Sequence, residues 1–167
     1  AEAGRDYNTV DMSERTLRDV YLLPFKAAFE AGAGSTMSAF NEIGGVPGTC
    51  NTFLLRTVLH EEWGMQGPVV SDYNSIGELV QHGVARDLRE AARLSILAGV
   101  DIDLESGAYA QYLAGLVEDG SVPVAIVDEA VRRVLRLKVR LGLFEQPYVD
   151  ESLAAQYILR PEFRDLA

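Results

Sequence analysis

The sequence predicts an α/β fold built around a parallel sheet. Three short segments, beginning near Thr36, Val69 and Val100, predict strands, and a stretch of helical periodicity precedes each of them. Successive strands are separated by roughly 30 residues, the length of one βαβ unit. An alternation of this kind is typical of βα units that form a parallel sheet.

The first unit begins with a helix after Ser13, a residue type that favours helix starts. Pro24 is expected to kink or split this helix, and Gly32 and Gly34 should stop it. Residues 35–40 then predict a short strand. The apolar positions that recur at helical spacing are Leu17, Val20, Tyr21, Phe25 and Ala28.

In the second unit, a carboxylate residue directly follows a predicted strand. Residues 44–48 predict a loop, and Asn51 should cap a helix that closes at Gly64. Residues 69–71 predict a buried strand that runs directly into Asp72. A buried strand has no favourable place for an ionised carboxylate, whereas the carboxyl ends of parallel strands are where ligands bind. Asp72 is therefore the first candidate functional residue.

The third unit carries a helix over residues 87–98 that ends at Gly99, followed by a strand over 100–104. Two more helices are expected over 109–117 and 125–141, and the chain from Glu145 onward resembles a connector. Three parallel strands cannot close a barrel, which needs about eight strands and about 250 residues. We therefore expect the chain to be part of a larger fold.

Composition excludes several classes of function. The 167 residues carry a net charge of −10, which disfavours nucleic acid and anionic membranes as partners. No apolar run approaches the roughly 20 residues of a membrane span, and no signal peptide is visible. The single cysteine, Cys50, excludes an internal disulfide and a Cys-rich metal cluster, but it does not establish the compartment.

Three carboxylates alternate along the third predicted strand. Asp101, Asp103 and Glu105 should share the face that lines the interior or the mouth of a barrel. Such a set could bind a hard cation such as Mg²⁺, or its members could bind backbone amides and basic side chains. Both interpretations stay open from the residues alone. The intervening apolar residues are expected to pack against outer helices; they are Val100, Ile102 and Leu104.

The sequence gives little support for other residues as catalytic nucleophiles or bases. Ser38 and Ser71 lie near strand ends but not in a Gly-x-Ser-x-Gly motif. His60 is interpreted as a surface residue, and His82 could border a pocket without completing a triad. Cys50 is interpreted as a packing residue, because no base stands near it in the sequence. No glycine pattern matches a phosphate-binding loop.

Asp72 is followed by Tyr73, and a carboxylate beside an aromatic ring suits sugar chemistry. The ring can border an apolar sugar face, and the carboxylate can stabilise or trap an oxocarbenium-like centre.

Several sequence blocks together resemble glycoside hydrolase family 3, the group of β-glucosidases and β-xylosidases, over nearly the whole chain. The block from Trp63 to Asp72 is the most specific of them. In chain order the blocks are Tyr7-Asn8-Thr9-Val10-Asp11-Met12-Ser13, Met37-Ser38-Ala39-Phe40-Asn41, Val46-Pro47-Gly48, Glu62-Trp63-Gly64-Met65-Gln66-Gly67, Val70-Ser71-Asp72, Ala98-Gly99-Val100-Asp101 and Leu141-Gly142-Leu143-Phe144.

The resemblance implies a partial (β/α)8, or TIM-type, barrel: roughly the last three βα units with C-terminal helices over residues 1–144. Residues 145–167 would be a linker towards a missing α/β sandwich domain. It also implies a retaining, exo-acting β-glycosidase that forms a covalent glycosyl-aspartate on Asp72. The general acid/base would come from the sandwich domain. A Lys-His pair and the first part of the barrel would lie upstream of this chain.

The resemblance assigns further residues to the substrate. Tyr73 matches a position, often Trp, that borders the sugar in the −1 subsite. Phe40 matches a position, often Tyr, near the nucleophile, and Met37 belongs to the same block. Asp101 and Asp103 match an Asp-x-(Glu or Asp) pattern with a structural or substrate-proximal role.

The resemblance implies no metal or organic cofactor. The partners would be a β-glucoside or oligosaccharide and the remaining segments of the same enzyme, and a periplasmic or secreted location is favoured over a cytoplasmic one. Two alternatives stay open: a metal-dependent barrel lyase or aldolase using Asp101, Asp103 and Glu105, and a non-catalytic scaffold fragment.

Overall fold

The computed structural model describes residues 9–167, so Tyr7 and Asn8 of the first family-like block lie outside the described residues. The chain divides into two compact units, Ala1–Leu137 and Lys138–Ala167. The first unit holds the strands and most of the helices. Of the helices in the described part of the chain, none has the length and apolar character that a membrane crossing requires.

The first helix follows the predicted signals. Ser13 Oγ accepts a hydrogen bond from the Thr16 amide at 3.2 Å, which confirms the predicted helix start. Pro24 lies three residues after a π-helical turn, inside the helical stretch that this turn interrupts. The helical stretch nevertheless continues from Glu14 to Glu30, so the expected split at Pro24 was wrong, and the change along it is from α to π and back to α geometry. Its parts are α1 (Glu14–Thr16), a π-helical turn (Leu17–Tyr21) and α2 (Leu22–Glu30).

The predicted parallel pairing is present. Strand β2 (Thr36–Met37) pairs in parallel with β5 (Val69–Val70), and Val70 forms a parallel bridge with Ile102. The three segments therefore lie in the order β2, β5, Ile102. The strand predicted over residues 100–104 is reduced to that single bridge, so the prediction of a full third strand was wrong. The mixed α/β class is correct.

A second small sheet was not predicted. Strand β1 (Thr9–Val10) pairs in parallel with β3 (Glu42–Ile43), which forms an antiparallel hairpin with β4 (Val46–Pro47). The hairpin turn consists of Gly44 and Gly45, both with positive φ, as a type I′ turn requires. The loop predicted over residues 44–48 is therefore a hairpin, because Gly-Gly between apolar residues is also a hairpin signal.

Several of the remaining helices begin and end close to the predicted positions. Asn51 Oδ1 accepts from the Leu54 amide at 3.1 Å ahead of a π helix (Phe53–Glu62). Asp87 caps α3 (Leu88–Ala98), and Gly99 ends it in the left-handed conformation. The others are a 3₁₀ turn (Gly48–Cys50), a second 3₁₀ turn (Gly77–Leu79), α4 (Ala108–Glu118), α5 (Val124–Arg140), α6 (Ser152–Tyr157) and α7 (Pro161–Leu166). The segment expected to be a connector thus contains α6 and α7.

Candidate active site

Asp72 lies two residues beyond the last residue of β5, at the carboxyl end of that strand. It opens a tight turn in which the Ser75 amide donates to the Asp72 carbonyl oxygen at 3.1 Å. Asn74 adopts a left-handed φ of 54° within the turn. The Tyr73 amide donates to Asp72 Oδ1 at 2.8 Å. The half-buried carboxylate is therefore attached to a turn of defined shape.

The peptide groups of Leu104 hold this turn on one side. The Leu104 amide donates to Ser71 Oγ at 2.8 Å, and the Leu104 carbonyl accepts from the Asn74 amide at 3.0 Å. The Ser71 side chain is fully buried, which suits an anchor and not a nucleophile. Ser71 and Asn74, which lie before and after Asp72 in the chain, are thus both hydrogen-bonded to Leu104.

The candidate substrate residues lie on two adjacent elements. Met37 is the last residue of β2, stands in register with Val70, and is 52% exposed. Phe40 follows it and is half-buried, whereas Tyr73 is 61% exposed. Because the carboxyl ends of adjacent parallel strands meet at one edge of a sheet, Met37 and Asp72 lie at the same edge.

The register corrects the predicted faces of the third segment. Met37, Val70 and Ile102 are paired across the sheet and therefore share one face, which is partly exposed. Alternation places Asp101 on the other face, towards the helices. The prediction that the carboxylates line the open face while Ile102 packs on helices was wrong, since pairing partners decide which face a residue takes.

Asp101 is a structural ion-pair residue. Its side chain is 1% exposed, and its two oxygens bind Nε and Nη2 of Arg133 on α5 at 2.8–3.0 Å. Asp101 Oδ2 also accepts from the Val69 amide at 2.9 Å. The carboxylate thereby ties the start of β5 to α5. Arg133 was not selected from the sequence.

The other two carboxylates of this segment, Asp103 and Glu105, are not part of the Arg133 ion pair. Asp103 accepts from Ser106 Oγ at 2.6 Å and from the Tyr109 amide at 3.1 Å, which stabilises the first turn of α4. Glu105 is exposed and has a positive φ of 81°. Across residues 9–167 no three His, Cys, Asp or Glu side chains form a group that could hold a metal ion. The metal-binding alternative therefore lacks its ligand set.

His82 borders a polar pocket, as the sequence suggested it could. Its Nδ1 lies 2.9 Å from Glu42 Oε1, which joins the segment after the Asp72 turn to strand β3. The pocket has a volume of about 300 Å³, and its other lining residues are Asn74, Glu78 and Gln81.

His60 and Cys50 are both half-buried. His60 is half-buried, with Nδ1 3.0 Å from the Met65 carbonyl, so its interpretation as a surface residue was wrong. Burial lowers the pKa of His60. Burial raises the pKa of the Cys50 thiol to about 11, so the thiol stays protonated at neutral pH.

The chain is similar to known glycosidases. It is 45% identical over 147 residues to the periplasmic beta-glucosidase of Salmonella typhimurium, covering 88% of this chain and 19% of that protein. It is 43% identical over 144 residues to a beta-xylosidase of Formosa agariphila, covering 81% and 20%. The crystal structure of beta-glucosidase from Listeria innocua in complex with glucose matches with a TM-score of 0.90 and 44% identity, covering 99% of this chain and 23% of that one.

The chain thus spans about a fifth of the length of the curated relatives it matches. A family model, the glycosyl hydrolase family 3 N terminal domain, matches residues 1–137, which include the Asp72 turn and the five strands found in the described part of the chain. The chain belongs to glycosyl hydrolase family 3.

Proposed function

We propose that this chain supplies the catalytic nucleophile, Asp72, of a retaining exo-β-glycosidase that removes terminal β-linked glucose or a related sugar. The observation that carries the proposal is the position of Asp72: a half-buried carboxylate on a turn at the carboxyl end of a parallel strand, held by Leu104. Membership of the family and the names of the relatives, β-glucosidases and β-xylosidases, support the same chemistry.

The reaction has two steps. A carboxylate oxygen of Asp72 forms a bond to the anomeric carbon while the bond to the leaving oxygen breaks and that oxygen takes a proton from a general acid. Water then attacks the glycosyl-aspartate, giving up a proton to the same group, now a base, and releasing Asp72. No metal or organic cofactor takes part in these steps.

The general acid/base lies outside the described residues in this proposal. Retaining hydrolysis needs a second carboxyl group roughly 5–5.5 Å from the nucleophile. Asp101 is bound to Arg133, and Asp103 is bound to the first turn of α4, so both serve the scaffold. We assign the acid/base to a following α/β sandwich domain, with residues 145–167 as the linker towards it.

The open sheet face supports an incomplete barrel. Met37, Val70 and Ile102 present apolar side chains that are only partly covered, whereas parallel sheets are normally covered on both faces. We propose that residues 1–144 form roughly the last three βα units of a TIM-type barrel and that preceding segments of the same protein complete it. The isolated chain is then expected to be inactive.

Three residues are proposed to contact the sugar. The exposed ring of Tyr73 would border an apolar sugar face in the −1 subsite, and Phe40 and Met37 would line the same edge from the segment of β2. A periplasmic or secreted location is also proposed, supported by the name of the Salmonella relative.

The test is to label the full-length protein that carries this chain with an aryl 2-deoxy-2-fluoro-β-glucoside, which forms a long-lived glycosyl-enzyme. Peptide mapping is expected to place the sugar on Asp72, and Asp72→Ala should abolish labelling. Asp128→Asn, on an exposed position of α5, is the matched carboxylate control and should label normally. Attachment of the sugar at another residue would contradict the assignment of Asp72. If the Asp72→Ala protein still hydrolyses the substrate, the alternative that this chain is a non-catalytic scaffold would be favoured.

A further inference from the structure

Three buried hydroxyl groups lie in contact beside the Asp72 turn. Ser38, Thr49 and Ser75 come from three separate segments, and each is at most 4% exposed. Thr49 Oγ1 donates to Ser75 Oγ at 2.9 Å and lies 3.1 Å from Ser38 Oγ. Because a buried hydroxyl without a partner is costly, each group in this cluster depends on the others.

Ser75 connects the cluster to the nucleophile. It is the last residue of the turn that Asp72 opens, and its amide donates to the Asp72 carbonyl at 3.1 Å. Leu104 holds the same turn from the Ile102 side of β5, whereas Ser38 follows β2 on the opposite side. The turn that carries Asp72 is therefore held from both neighbouring segments of the sheet.

Thr49 contacts both of the other hydroxyl groups, and the backbone just before it packs closely against a neighbouring segment. A Cβ added at Gly48 would lie 2.8 Å from the Ala39 carbonyl oxygen, so this backbone approaches too closely for any other residue. The Gly48 amide donates to the Asn41 carbonyl at 2.9 Å. The Thr49 hydroxyl has one proton, which it can give to Ser75 Oγ or to the Ala39 carbonyl 3.3 Å away, while it accepts from Ser38.

We propose that Thr49 is a positioning residue that, through Ser75, sets where the Asp72 carboxylate stands relative to the sugar. This inference rests on the proposed function of Asp72. Attack requires the reacting atoms to approach within about 3–3.5 Å, and a displacement of about 1 Å can cost roughly 100-fold in rate. Because Thr49 is buried and acts on the nucleophile, its hydroxyl should affect the rate of attack more than substrate binding.

The test compares Thr49→Val, which removes the hydroxyl at nearly constant shape, with Thr49→Ser, which keeps it, in the full-length protein. Active sites are titrated with the 2-fluoro glycoside, and kcat per titrated site, KM and the rate constant for labelling Asp72 are measured. Thr49→Val should lower kcat and the labelling rate constant by about tenfold or more, with KM changed by less than about twofold. Thr49→Ser should stay within about threefold of the unmodified protein.

Unchanged rates per titrated site in Thr49→Val would overturn the inference, even if the melting temperature fell, because that pattern describes a structural role alone. An equal loss in Thr49→Ser would overturn it as well. If Thr49→Val does not fold, Ser75→Ala is measured in the same way and must show the same loss of rate. Labelling of the unmodified protein away from Asp72 would instead refute the proposed function, so the two failures are distinguishable.

Discussion

Arg133 binds both carboxylate oxygens of Asp101 through Nε and Nη2, at 2.8–3.0 Å, in a site where the Asp101 side chain is 1% exposed. Removing the arginine would leave a buried carboxylate with only the Val69 amide as a partner in the described part of the chain. We therefore expect Arg133→Met to lower the free energy of unfolding by about 3–5 kcal/mol.

The control for this prediction is Arg132→Met on the same helix. Arg132 is exposed and lies 3.8 Å from Asp128, so its loss should cost less than about 1 kcal/mol. Urea unfolding of both variants is the measurement, and equal shifts in the two would contradict a buried ion pair at Asp101.

Ser71→Ala should weaken the anchor of the Asp72 turn. The variant leaves the Leu104 amide without its acceptor, which is expected to cost about 1–3 kcal/mol of stability. Ser35→Ala, at an exposed position before β2, should cost less than about 0.5 kcal/mol. Thermal or urea unfolding measures the stability of both variants. Similar losses of stability in the two would contradict a stabilising role for the hydrogen bond to Leu104.

Asp72→Ala should lower kcat/KM for an aryl β-glucoside by roughly 10³-fold or more, the scale on which removal of a catalytic group acts. Added azide should restore part of the activity by attacking the anomeric carbon in the vacated space. Because the nucleophile of a retaining enzyme is replaced, the product should be the α-glycosyl azide. A β-configured product, identified by NMR, would contradict the role of Asp72.

His60 should make the protein less stable in acid. Burial lowers its folded pKa below the unfolded value of about 6.5, so the unfolded state binds the proton more readily. The stability that the neutral ring contributes is complete above the unfolded pKa and is lost as pH falls towards the folded pKa. In His60→Gln this loss should disappear, so the difference in unfolding free energy between the two proteins should narrow below about pH 6.5. A constant difference from pH 8 to pH 5 would contradict the prediction.

Two glycines should respond in opposite directions to alanine. A Cβ at Gly67 would collide with the Gly34 carbonyl oxygen, so Gly67→Ala should destabilise the protein by about 1–3 kcal/mol or more. Gly115 lies within α4 with open space around it, and Gly115→Ala should stabilise by about 0.5–1 kcal/mol. The melting temperatures of the two variants are the measurement. A fall in both would contradict the prediction that the two substitutions act in opposite directions.

Much of the local structure was readable from the sequence. The helix starts predicted at Ser13 and Asn51 are present in the structure, as is the helix end predicted at Gly99. Each depends on hydrogen bonds or backbone conformations within about one helical turn, which neighbouring residue types dictate. The placement of Asp72 at the end of a buried strand was predicted for the same reason.

The faces of the third segment, residues 100–104, were assigned wrongly because local sequence patterns do not determine them. Alternation correctly separated Asp101 from Ile102, but it could not say which of the two faces the helices. That depends on the bridge between Val70 and Ile102 and on Arg133, which comes from a helix further along the chain.

The sequence by itself determined the α/β class, the bounds of α3, α4 and α5 to within one residue, the family and the position of Asp72 at a strand end, because short-range preferences and contiguous motifs carry that information. Only the tertiary structure decided that Asp101 is a partner of Arg133 and that Thr49 supports the turn of Asp72 through Ser75. These relationships join residues that are distant in the chain. They exist only once pairing register and helix packing bring those residues within hydrogen-bonding distance.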